Sequence, residues 1–108
     1  MANYLGTVLF NAERFPVVAN FFKKGKTYYL RGYYKQDGEK VDFLFKSRMR
    51  DLFGGSYFYS KKLGGTSNNL KRFLSKDKKS FILNGDWREG VDSGPWVFEL
   101  NKIDKKSI

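Results

Sequence analysis

The chain has 108 residues, a net charge of +10, and neither cysteine nor histidine. Without cysteine there are no disulfides, thiolate metal sites or thiol nucleophiles; without histidine the commonest general base and metal ligand is gone, with every imidazole triad. No apolar run reaches the ~20 residues of a membrane-spanning helix, and the opening MANYLGTVLFNAERF lacks the charged region of a signal peptide, so one cytoplasmic domain over residues 1–108 is expected.

Eleven Phe, seven Tyr and two Trp favour strands, and turn signals recur about every ten residues, the spacing of an antiparallel meander. Residues 4–10 (YLGTVLF) form the first strand, with a turn at Asn11 to Arg14. Residues 15–22 (FPVVANFF) form the second, with Pro16 near its start, where a missing donor does least harm. Lys23-Lys24-Gly25 leads into a hairpin of strands 26–36 and 40–47, turning on Asp37-Gly38. RMRDLFGG is irregular, and SYFYSKKL (56–63) is the next strand. A short helix is expected near residues 67–76, capped by Ser67 or Thr66, because Leu70, Phe73 and Leu74 fall at the i, i+3, i+4 spacing of a buried stripe. Two alternating strands end the chain, joined by EGVDSG: SFILNGDWR, with Phe81, Leu83 and Trp87 on one face, and PWVFELN, with Trp96, Phe98 and Leu100.

The expected fold is therefore mainly β: an antiparallel meander forming a small barrel or strongly curled sheet of about seven strands, with one short helix. From residue 26 onward the order strand, strand, strand, helix, strand, strand resembles an OB-fold in its sequence of elements, which makes an OB-like barrel a variant. The two additional N-terminal strands depart from that pattern.

The hairpin can be read pair by pair. A two-residue Asp37-Gly38 loop sets Gln36 opposite Glu39, Tyr34 opposite Val41, Gly32 opposite Phe43 and Leu30 opposite Phe45, which makes one apolar face. A slip of one residue would put Phe43 and Phe45 into water, so the register is well specified. The other face pairs Lys35 with Lys40, Tyr33 with Asp42, Arg31 with Leu44 and Tyr29 with Lys46. Aromatic rings among cations suit single-stranded nucleic acid, whose bases stack on the rings while the cations hold phosphates. In SYFYSKK, Tyr57 and Tyr59 share a face that Lys61 continues, and with Lys62 they are expected to extend the platform. Were the hairpin covered on both faces, Tyr29 and Tyr33 would instead be core residues.

Other segments point less far. KKLGGTSNN sets Lys61, Lys62 and Arg72 near a helix start that could hold a phosphate, although the P-loop spacing is absent and a capping loop explains it as well. GDWREGVDSGPW gathers Asp86, Glu89 and Asp92, but without an EF-hand arrangement it reads as a solvated hairpin loop. Trp87 and Trp96 belong on the core side of their strands. No pair of acids is marked for catalysis and no S-x-x-K stands on a helix, so neither an enzyme nor a cofactor or metal is expected.

Charge supplies the partner. Residues 23–62 hold eleven Lys/Arg against four acids and residues 71–79 five against one, whereas residues 80–101 hold one Arg against four acids. Such a field orients polyanions towards the middle of the chain. The expectation is a non-enzymatic protein holding single-stranded DNA or RNA with low sequence specificity. The site residues are Tyr29, Arg31, Tyr33, Lys35, Lys40, Lys46, Tyr57, Tyr59, Lys61 and Lys62. The alternative is a small protein-interaction or inhibitory module of a phage or mobile element, acting on an acidic protein partner. A third class, a barrel holding a small ligand, is open to the fold but specified by no residue.

Overall fold

Period-two alternation gives nearly every segment one apolar face, and a sheet that closes on itself buries that face and leaves no free edge. In the computed structural model, which describes residues 2–49, 51–59 and 62–103, eight antiparallel strands do this. They are β1 (Tyr4–Phe10), β2 (Glu13–Lys24), β3 (Thr27–Gln36), β4 (Glu39–Ser47), β5 (Leu52–Tyr59), β6 (Lys62–Leu74), β7 (Ser80–Glu89) and β8 (Asp92–Lys102). Each pairs with its neighbours in sequence, and β1 closes the barrel against β8.

Asp37 and Gly38 both have positive φ (52° and 81°), as the tight turn that matches strand twist requires. The β3–β4 ladder then runs from Gln36↔Glu39 to Tyr28↔Ser47, the pairing expected from the sequence. Eight strands enclose a space that side chains can just fill, and here aromatic rings fill it. Trp96, 1% exposed, packs at its centre. Its ring lies 4.9 Å from Phe98, 5.0 Å from Tyr57 and 5.9 Å from Phe45. Its Nε1 donates to Ser67 Oγ at 3.4 Å. Trp87 also points inward, against Phe10 at 5.2 Å.

The strand count is eight, not about seven, and no helix occurs among the described residues. The segment expected to be helical is most of β6. Two register shifts along the β5–β6 ladder, one beside Gly64 and one between Ser67 and Leu70, reset which residues face inward. Of the expected stripe only Leu70 is fully buried: strand alternation beyond the bulge turns Leu70 and Leu74 inward, Leu74 at the barrel end and 40% exposed, and turns Phe73 to the other side. Phe73 is 53% exposed on the outer face. Ser67 caps nothing; its hydroxyl donates to the Asp86 carbonyl. The OB-like variant falls with the helix. The two N-terminal strands it left over are integral to the barrel, and β1 supplies the closing pair. β5 also starts earlier than expected, at Leu52, with Phe53 buried.

Candidate nucleic-acid interface

Closure covers only one face of the β3–β4 hairpin. Leu30, Tyr34, Val41, Phe43 and Phe45 lie in the core, so strand parity turns Tyr29, Arg31, Tyr33 and Lys35, with Lys40, Asp42, Leu44 and Lys46, to the outside. Arg31, Lys35, Lys40 and Lys46 are exposed; Tyr29 and Tyr33 are partly so. The two tyrosines have different surroundings. Lys40 Nζ lies 4.6 Å from the centre of the Tyr33 ring and 3.7 Å from Asp42 Oδ1, so one face of Tyr33 already has a cation and that cation has a counterion. Tyr29 instead stacks on Phe22 of β2, with ring centres 5.2 Å apart and planes 15° from parallel.

Phe22 was not among the expected site residues. It sits directly across from Tyr29 and is 41% exposed. Together they begin a shallow groove of ≈ 730 Å³, lined also by Lys24, Arg31, Asp42, Leu44 and Phe58. On β5, Gly54 lies opposite Lys46 and Ser56 opposite Leu44, so no large side chain fills the groove from that strand between Leu52 and Phe58.

Tyr57 and Tyr59 do share a face, but it is the inner one. They pair with Phe43 and Val41, so they join the hairpin's apolar side, and Phe58 is the outward residue. Tyr57 is fully buried, its hydroxyl donating to Glu89 Oε1 at 3.2 Å. Burial first, then the Glu89 carboxylate, raises its phenol well above the usual range. For the same two reasons Tyr59 is pushed up to about 12. With its ring enclosed by the core Tyr57 cannot stack on a base, and Tyr59, partly buried against the same core, faces away from the outer groove. Gly64 makes room for them: a Cβ there would meet the two rings at 2.7 and 2.8 Å. Gly64 and Gly65 lie within β6, so no helix start stands beside them. Lys61 lies outside the described residues, and Lys62 is exposed at the start of β6. Asp86 and Glu89 point to opposite faces, the first bonded to Asn69 Nδ2 outside, the second to Tyr57 inside.

Charge is sorted along the barrel axis. At one end the β2–β3 turn brings Lys23, Lys24 and Lys26, the β4–β5 turn Arg48, and the β6–β7 turn Lys76, Lys78 and Lys79; Lys102 ends β8 beside them. Among the described residues only Asp51 and Asp77 oppose them in these turns. At the other end Glu13, Asp37, Glu39, Glu89 and Asp92 balance Arg14, Lys35, Lys40, Lys62 and Arg88. Phe22, Lys24, Tyr29 and Lys46 occupy the basic half of the outer face, whereas Lys35, Lys40 and Lys62 stand at the mixed end. The expected site thus divides, and its aromatic part moves from Tyr29 and Tyr33 to Phe22 and Tyr29.

Compared with protein-family models, curated proteins and solved structures, the chain matches none.

Proposed function

We propose that this protein binds single-stranded nucleic acid, without catalysing a reaction and with little sequence preference, along the outer face of β2–β5. The carrying observation is the exposed Phe22–Tyr29 stack, with Lys24 and Arg31 in the same groove and Lys46 directly across from Tyr29, at the basic end of the barrel. An unpaired base extends such a stack at ~1–3 kcal/mol per base and leaves no base-specific contact. Lys24, Arg31 and Lys46 then take phosphates, and the strand runs on towards the turns carrying Lys23, Lys26 and Arg48. Asp42, paired with Lys40, ends the favourable path on the other side.

Fluorescence anisotropy with a labelled oligonucleotide, single-stranded and then as duplex, at low and moderate salt, tests this reading. Single strands should bind more tightly than duplex. The logarithm of affinity should fall with that of salt by about 0.7 per phosphate neutralised. Absence of single-strand binding at low salt would overturn the proposal.

A protein partner is the second reading, and it draws on a different surface. Phe73 and Ile82, paired across β6–β7, are 53% and 40% exposed on the outer wall. Apolar side chains placed side by side in this way suit a protein contact better than a strand of phosphates.

A further inference from the structure

The basic end of the barrel holds an arginine that the proposed groove does not use. Arg72 of β6 pairs with Leu83 and points inward, leaving its side chain 6% exposed. Its guanidinium carbon lies 5.1 Å from the ring centre of Phe21, 5.5 Å from Phe81 and 6.0 Å from Phe53. Rings attract the cation but are at best weak acceptors for its five N–H groups. Among the described residues Nε makes no hydrogen bond, and the one nearby acid, Asp51, has its Oδ1 3.7 Å away on a side chain 68% exposed. A desolvated charge this poorly paired is costly, and an apolar residue of similar length would fill the same space at lower cost. Tyr4 also faces it: burial raises that phenol and the charge of Arg72 lowers it.

We infer that Arg72 is the floor of a receptor for one phosphate group, supplied by the end of a bound strand or by free phosphate. A guanidinium fork matches two phosphate oxygens, replacing the long contact to Asp51 with two charge-assisted hydrogen bonds. The cations of the surrounding turns draw a dianion to this end. The strand-end source rests on the proposed function; the site itself does not.

The test compares wild type with Arg72→Met, which keeps length and removes charge, and Arg72→Lys, which keeps charge and removes the fork. Each is titrated with one oligonucleotide carrying a 5′-phosphate, a 3′-phosphate or hydroxyl ends. Each is also melted in inorganic phosphate and in chloride of equal ionic strength. Arg72→Met should fold with an unchanged or higher Tm. Wild type should prefer one phosphorylated end by about tenfold or more, and both variants should lose that preference while binding the hydroxyl-ended strand as wild type does. Should wild type show no end preference while phosphate raises its Tm and not that of Arg72→Met, the site stands with free phosphate as its ligand. Neither effect in wild type, or both undiminished in the folded variants, overturns the inference. Loss of hydroxyl-ended binding in wild type would count against the groove alone.

Discussion

Changing Phe22 and Tyr29 together to alanine is expected to weaken single-strand binding by about 2 kcal/mol or more, roughly thirty-fold, in a protein that still folds. The magnitude is that of one or two lost stacking partners. The fold survives because both rings lie on the outer wall, paired with each other rather than with the core. Tyr33→Ala should cost less, because Lys40 covers one face of that ring in the free protein. Anisotropy measures the affinities and circular dichroism checks the fold. Equal losses for Tyr33→Ala and the double variant would show that the strand follows the hairpin towards its turn instead.

The largest effect on stability should come from Trp96→Ala, about 3–5 kcal/mol by denaturant titration. Trp96 is the ring on which Phe10, Phe45, Tyr57 and Phe98 converge, and every one of them is buried. A cavity among so many rings cannot collapse without moving strands on several sides of the barrel. A loss of that size takes much of the 5–15 kcal/mol that holds a typical domain together. Trp87→Ala should cost clearly less, since Trp87 is partly exposed near the barrel end. A Trp96→Ala cost below about 1 kcal/mol would mean that the interior is not packed as described.

The hairpin was legible in the sequence because two signals agree there: a turn that admits one register, and an alternation that admits one buried face. The last two strands were legible for the same reason. β6 was not, because its bulges break the alternation, and Leu70, Phe73 and Leu74 fall at a spacing that helices also produce although the strand turns Phe73 to the opposite side. The site was legible only in part. Tyr29 and Arg31 follow from the hairpin, but FPVVANFF is apolar on both faces, so nothing within it says that Phe22 points out. That is decided by its pairing with β3. Tyrosine suits either side of a strand, and the side that Tyr57 and Tyr59 take is set by their pairing with Phe43 and Val41. The axial sorting of charge is also a property of closure. Lys24 and Lys78 lie far apart in the chain yet share an end, because alternate turns of an up-and-down barrel fall at the same end.

The most direct test of the central claim is to map the contact surface by amide chemical shifts in a 15N-labelled sample during titration with a short oligothymidine. Shifts that cluster on Phe22, Lys24, Tyr29, Arg31, Leu44 and Phe58 and reverse with salt are the predicted result. Shifts centred on Phe73 and Ile82, or none at low salt, would contradict it.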